Sequence, residues 1–519
     1  MFRLIFLFII YVSFPLLGVS QQWLGISGSN YTGTNTLYTN PANVADSRYK
    51  VYVNLIGNDL FLTNNFINWD APYSILQLFS NTVPSKYRNS STQNIIYSDD
   101  YLATNQSNGK KHFHTIDDLR GPSIMISLND QQAFALSTRI RTGINFTGME
   151  SQFAEFIRTG IKNVDLQNKL VSLNGTSFNT NSFVEIGLTF GQVLFDEEED
   201  FVKIGGTIKR LVGLYSAHLM VNNANYGIIN DPANPDERLL QLNNIIANYG
   251  YTLNGAYENA RFSPSWLLGN DSAGNGWGFD IGFVYEYRPN LKKFSYREKG
   301  VLKLDPSKNK YKYRLGVSLI DIGGLKYTNP NYVKNWQVNT TNQVFNSADY
   351  KQKITDLDDA FERFSNSLNL NNAQAKTLFN SSLPTALSVN FDYHYKNNIY
   401  INSVWTQALR SDYSVGIKSP SLLAVTPRWE TKWAEVAMPF ALLDNYSTFS
   451  FGLAARLGPV FLGTDNLGSI LNISKPRGLN LYFGASIPIF RRPPTVPNAC
   501  FYENSSRKSF KEILMFWKK

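Results

Sequence analysis

Two arginines set in an apolar stretch make the clearest chemical demand in this sequence. Arg139 and Arg141 flank Ile140 in a segment, Ala133 to Asn145, that alternates like a β-strand, so both guanidinium groups leave the same face. On a lipid-turned face near the bilayer midplane each costs about 2–4 kcal/mol. On an inward face they need water or a carboxylate. Arg139 and Arg141 are therefore candidate lumen cations, and Lys209 and Arg210 present the same choice between lumen and rim.

Other reactive residues carry less. Of the four histidines, only His112 and His114 are close, while His218 and His394 stand alone; no cysteine or carboxylate sits near the pair at ligand spacing, so the local sequence predicts no metal. The acidic run Asp196 to Asp200 lacks the glycine and ligand spacing of a calcium loop and reads as a solvated hairpin turn. There is no Gly-x-Ser-x-Gly elbow and no phosphate-binding glycine loop; Ser27, in Gly25-Ile26-Ser27-Gly28, has the wrong spacing. The expectation is a protein without catalytic residues or cofactor, a Ser–His pair assembled from distant loops being the one remaining enzymatic route.

The elements that would position these residues begin after a leader. Arg3, an apolar run from Leu4 to Leu17 and the small residues Gly18 and Ser20 read as a secretory signal peptide over residues 1–20, in preference to an uncleaved anchor. Beyond it no run of about 20 apolar residues occurs, so any membrane crossing must be made by strands. The net charge of +9 is concentrated in the tail from Arg491 to Lys519, which holds seven basic and two acidic residues, so the body is no nucleic-acid surface. Aromatic residues at 14% against 17% charged suit a barrel with two interfacial girdles. The single cysteine, Cys500, excludes an internal disulfide framework.

Alternating segments then recur with long and short connections in turn, as a membrane barrel requires. Lys50 to Thr63 leads outward; Ile124, Ile126 and Leu128 return to the turn Asn129-Asp130-Gln131; Ala133 to Asn145 leads out again. Phe183 to Phe195, Phe201 to Tyr215, Trp277 to Arg288, Tyr311 to Ile322 and the strand from Leu383 continue the meander across outer excursions, and the connection Pro289 to Lys310 is long for an inner turn. Tighter crossings follow to Leu479–Ile489, whose odd positions form an apolar, lipid-turned set. The reading gives about 14 crossings, with both ends of the barrel chain on the periplasmic side. Two outer excursions carry apolar residues at helical spacing: Phe153, Phe156, Ile157 and Ile161, and then Ile354, Leu357, Phe361 and Phe364 followed by Ala373 to Phe379, read as a helix pair. Packing against the loops is favoured for these faces over receiving a ligand.

Residues 21–49 precede the first strand and contain Thr39-Asn40-Pro41-Ala42. Together with Leu383-Pro384-Thr385, Gly458-Pro459-Val460, Gly463-Thr464-Asp465-Asn466 and Gly478 to Ile489, this segment resembles the FadL-like outer-membrane transporters, and most nearly a Bacteroidetes-type branch built on a domain of unknown function. The resemblance implies a 14-stranded barrel whose N-terminal segment, with Asn40, Pro41 and Ala42, folds inside as a hatch, and passage of small hydrophobic molecules; it carries no fatty-acid carboxylate clamp onto this chain. The tail departs from that branch, having neither an acidic linker nor a peptidoglycan-binding domain. Phe510, Ile513, Leu514 and Trp517 share a helical face there, with Ser509 and Glu512 spaced as a capping box.

The sequence thus predicts an all-β transmembrane antiparallel barrel of the cell outer membrane, with helical insertions in its outer loops. Its parts are a signal peptide (1–20), a hatch (21–49), the barrel (50–490) and a basic periplasmic tail (491–519). The expected function is a passive channel or transporter for small hydrophobic compounds, in contact with outer-membrane lipid and without nucleic acid. The alternative is a non-transporting scaffold whose outer loops bind a secretion or surface-attachment protein.

Overall fold

A computed structural model describes residues 23–493, apart from 105–108, 162, 198, 233, 235–236, 262, 299–300, 346–353 and 474–475. The segments expected to form a leader and a tail helix, and Cys500, lie outside the described residues.

The chain closes into one antiparallel barrel. The first strand, Tyr49–Asn64, pairs with the last, Gly478–Phe490, from Tyr49↔Phe490 to Thr63↔Gly478, so the barrel wall closes on itself. Several crossings are interrupted and appear as two segments, so the sheet reduces to 14 crossings. The interruptions fall where the ladder lacks an N–H or a side chain, at Gly121-Pro122, Pro384, Pro439 and Gly452. Large apolar side chains stand on the outside at alternate positions, among them Phe134 and Leu136, Leu188 and Phe190, Ile281 and Phe283, Leu423 and Val425, and Phe483 and Ile487. In lipid an outward apolar band on an edgeless sheet is the arrangement that leaves no backbone group unpaired. Tyr287, Tyr313 and Phe391, stacked on one another near the short-turn end, and Trp433 against Phe490 contribute to the girdle there.

Two strands run far beyond the membrane. Leu170–Glu197 and Asp200–Asn230 have 28 and 31 residues, about 90–105 Å at 3.3 Å per residue, where a crossing needs about ten. Their outer halves carry two further strands, Arg238–Thr252 paired to the second of them and Val333–Phe345 paired in turn to Arg238–Thr252. These strands replace much of the loop expected between Tyr215 and Trp277 and between Ile322 and Leu383. The expected helix pair is also corrected: Leu357–Ser367 is a helix, but the chain from Ala373 ends a single 3-10 turn and enters the strand Phe379–Ser382. Asn371 caps that turn with its side chain, which favours a short turn over a second helix. Phe361 and Phe364 pack on Tyr249, Tyr251 and Phe345 of the outer sheet, and Phe156 of helix Ser151–Thr159 packs on Tyr226. At the inner end, the long connection holds its own small hairpin, Ser295–Glu298 with Val301–Leu304.

Residues 23–46 fill the barrel interior as two turns of 3-10 helix, Gly33–Tyr38 and Pro41–Val44, with the connecting chain mostly buried. Asn40 caps the second, its side chain accepting from Ala42 N–H at 3.0 Å while donating to the Phe283 carbonyl of the wall at 3.1 Å. Four wall glycines lie beneath this turn: a Cβ on Gly205 would come within 2.6 Å of the Pro41 carbonyl, on Gly282 within 2.1 Å of Asn40 Oδ1, on Gly191 within 2.4 Å of Val44 and on Gly316 within 3.0 Å of Asn40. Bare backbone is what lets the turn sit directly on the sheet.

Candidate functional site

Both arginines point inward. Arg139 sits opposite Glu185 on the next strand and binds it in bidentate fashion, Nε and Nη2 lying 2.9 and 3.0 Å from the two carboxylate oxygens. Its guanidinium also reaches Asp321 at 3.3 Å and Asp118 at 3.6 Å. Arg141 meets Asp321 at 2.8 Å, and Lys209 lies 2.6 Å from Asp321 and 2.7 Å from Asp280. Arg120 completes the layer on Asp118 at 2.9 Å. Four cations thus face four carboxylates, every side chain at most 7% exposed. A buried layer of this kind survives because each charge has a partner; removing one leaves the others stranded. Arg210, next to Lys209, takes the other face, donating to Asn275 at 3.0 Å and lying over the Trp277 ring.

A break in sheet regularity builds the centre of this layer. Asp321 occupies a bulge, opposite Asp280, with φ +57, a left-handed conformation that aspartate tolerates better than most residues. Its N–H donates to Asp280 Oδ1 at 2.7 Å, which fixes the two carboxylates side by side around Lys209. The interior segment covers the layer with aromatic rings: Trp23 stacks 3.7 Å from the Arg120 guanidinium, and Tyr38 lies 4.3 Å from that of Arg120 and 4.4 Å from that of Arg139. Further polar contacts tie the segment to the wall, including Leu24 N–H to Asp465 at 3.0 Å, Ser29 Oγ to Glu435 at 2.7 Å and Asn30 Nδ2 to Glu430 at 2.6 Å.

On the lipid side of the same wall lies a groove. Gly121-Pro122 separates the segments Lys111–Arg120 and Ser123–Ser127 of the second crossing, while the first strand shifts register against the last between Asn54 and Ile56. Ladder pairing of the first strand stops at Gly57↔Arg120 and resumes at Asn54↔Ser123, and Asn54 Nδ2 donates to the Gly121 carbonyl at 2.9 Å across the gap. The cavity formed there has about 410 Å³ and an apolar lining that includes Leu55, Ile56, Leu119, Pro122, Ile140 and Ile186, with Leu267 from an outer loop. Arg139 also lines it, although its side chain runs into the buried layer. Only the thickness of one strand separates groove from layer.

At the outer rim the fold supplies a partner that local spacing could not show. Asp444, 332 residues away, comes to His112, Nε2 lying 2.7 Å from Oδ2. His112, His114 and Asp444 hold their ligand-type atoms within 4.8 Å of one another. The proton positions argue for a hydrogen-bonded clasp. The Lys418 N–H donates to Asn145 Oδ1 at 3.0 Å, so the Asn145 amide nitrogen faces His114 Nδ1 at 2.8 Å and assigns that nitrogen as an acceptor. The proton of neutral His114 then sits on Nε2, where a metal would have to displace it. His218 pairs with Asn248 and His394 with the Asn397 carbonyl, far from this group in the sequence and from each other. Asp200 of the acidic turn accepts from the Tyr285 hydroxyl at 2.6 Å, and Ser27 is buried in the interior segment.

Comparison with known proteins gives one strong match. A model of a family of unknown function, DUF5723, matches residues 41–465, most of the chain. No curated protein matches. Among solved structures, the toluene transporter TbuX of Ralstonia pickettii aligns with a TM-score of 0.36 at 10% identity, covering 92% of this chain and 100% of that one. A FadL homologue of Pseudomonas aeruginosa gives 0.30 at 10%, covering 91% and 98%. The toluene transporter TodX of Pseudomonas putida gives 0.31 at 8%, covering 91% and 98%.

Proposed function

The chain belongs to the DUF5723 family of unknown function, and from its geometry we propose that it is an outer-membrane transport barrel that admits small hydrophobic compounds through its wall groove. The observation that carries this reading is the apolar cavity of about 410 Å³ at the interrupted ladder beside Gly121-Pro122. A cavity of that size and lining suits a small apolar molecule, and it opens on the outside of the barrel, where such molecules partition. The interior itself is charged and is covered by Trp23 and Tyr38 of the interior segment, so passage inward requires the turn around Asn40, Pro41 and Ala42 to move as a hatch while those rings keep the layer around Arg139 covered. Arg139 and Arg141 act here as anchors of that hatch and its wall, holding no substrate charge.

Filling the groove tests the reading. Ile140→Trp places an indole in it from a lipid-facing position, and whole cells carrying the variant are expected to take up a small aromatic hydrocarbon severalfold more slowly than wild type, with unchanged barrel folding by heat-modifiable gel migration. Equal uptake rates would remove the groove from the route.

A second reading, a scaffold binding a secretion or surface-attachment protein, is supported by the outer sheet built on strands of 28 and 31 residues, much longer than crossing requires. Photo-crosslinkers placed on Val333–Phe345 are expected under that reading to capture one stable protein; capture of none, with uptake intact, would discard it.

A further inference from the structure

Basic side chains exceed carboxylates around a cavity of about 40 Å³ at the inner end, between residues 29–48 and the connection 305–312. Arg48, Lys203, Arg288, Lys310 and Arg314 line it, each at most 9% exposed, against two lining carboxylates, Asp46 and Glu286. Those two are already engaged: Asp46 by Arg48 at 2.7 Å and Arg288 at 2.6 Å, and Glu286 by Arg288 at 2.6 Å and Lys203 at 3.6 Å. Arg314 turns to Asp392 at 3.4 Å, a carboxylate held more closely by Arg428 at 2.6 Å. Among the described residues Lys310 has no carboxylate within salt-bridge distance; its ammonium donates to the Lys308 carbonyl at 3.3 Å. A buried ammonium without a counter-charge is costly, and one that lines a polar cavity with room for a few water molecules is where a missing anion belongs.

We propose that this cavity binds a small hydrophilic oxyanion, with Lys310 supplying its principal counter-charge and Arg48 and Arg314 flanking it. The surrounding wall is polar, so the ligand carries no long apolar chain. The site faces the periplasmic end and stands independently of the wall groove. Arginine is the usual partner of oxyanions, yet here the arginines are committed to carboxylates. That leaves the lysine, a point charge that adapts to the ligand.

Burial pushes the Lys310 ammonium down to about 7, opposed by Asp46 and reinforced by Arg48 and Arg288. Lys203, Arg314 and Glu286 complete the charged groups lining the cavity, and Asp196 also lies close enough to interact with Lys310. The sign follows: an anion binds the protonated form, so affinity is full below pH 7 and falls as pH rises above it. Inorganic sulfate is the suitable probe because its own charge is constant over that range. Calorimetric titration of sulfate into the full-length, detergent-solubilised barrel at low ionic strength is expected to show binding that weakens from pH 6.5 to 8.5. Lys310→Gln is expected to weaken it roughly tenfold to a hundredfold, the range of a lost charge-assisted hydrogen bond, and to abolish the pH dependence, while Lys310→Arg keeps most of the affinity. No binding heat in the wild type, or equal affinity in Lys310→Gln, overturns the assignment. If Lys310→Gln does not fold, the wild-type pH profile decides: a flat profile overturns it.

Discussion

Replacing Asp321 by alanine is expected to lower barrel stability by about 3–5 kcal/mol, the cost of removing one partner from a buried ionic group. Three cations share this carboxylate, Arg139, Arg141 and Lys209, at 3.3, 2.8 and 2.6 Å. Alanine also meets the left-handed backbone of the bulge, φ +57, at a cost of about 1–2 kcal/mol. The two contributions separate by substitution. Asp321→Asn keeps the backbone tolerance and an acceptor oxygen but loses the charge, so it should retain the backbone share and lose the ionic one. Arg141→Met in the Asp321→Asn background removes the cation whose close carboxylate was Asp321 at 2.8 Å, and should recover part of the loss, giving a coupling energy that a purely steric defect would not show. Urea unfolding of the barrel in lipid vesicles reads all three. Losses under about 1 kcal/mol for both single variants would mean that water or neighbouring carboxylates already satisfy the arginines.

Parts of this layer were legible in the sequence and parts were not, for physical reasons. The period-two pattern around Ile140 places Arg139 and Arg141 on one face, because strand side chains alternate strictly. It cannot say which carboxylates meet them: Glu185 is a neighbour across one hairpin, but Asp321 lies 180 residues from Arg141 and is turned inward by a bulge that leaves no pattern in the sequence. The same limit hid Asp444 from His112 and made an unremarkable pair of histidines look partnerless. Alternation of long and short connections gave the crossings and their direction, since lipid demands a closed meander. The outer strands Arg238–Thr252 and Val333–Phe345 went unread because in water, packed on helices, they need no clean alternation; their Asn and Thr content looks like loop. Gly205 and Gly282 have no side chain to signal a role in the sequence, and only the structure shows Pro41 and Asn40 lying against them.

Those glycines yield the prediction with the largest functional effect. Valine at Gly205 and Gly282 favours the strands themselves, because β-branched residues suit a pleated sheet, so the barrel should fold and keep its heat-modifiable migration. The conflict falls on the interior segment. A Cβ on Gly205 would lie 2.6 Å from the Pro41 carbonyl and 2.7 Å from the Ala42 backbone, and a Cβ on Gly282 2.9 Å from the Pro41 ring. Those contacts are with backbone and a fixed ring, which cannot swing aside, so Pro41–Val44 must lift from the wall and the Asn40 bond to the Phe283 carbonyl must break. If residues 23–48 close the lumen, the double variant Gly205→Val/Gly282→Val will pass small sugars into liposomes severalfold faster than wild type, approaching a barrel deleted for residues 23–48. Proteolysis should cut the segment in the variant and spare it in the wild type. A variant whose segment becomes cleavable while liposome swelling stays at background would show that the interior segment is not the barrier, and the charged layer around Asp321 would then be the barrier that remains.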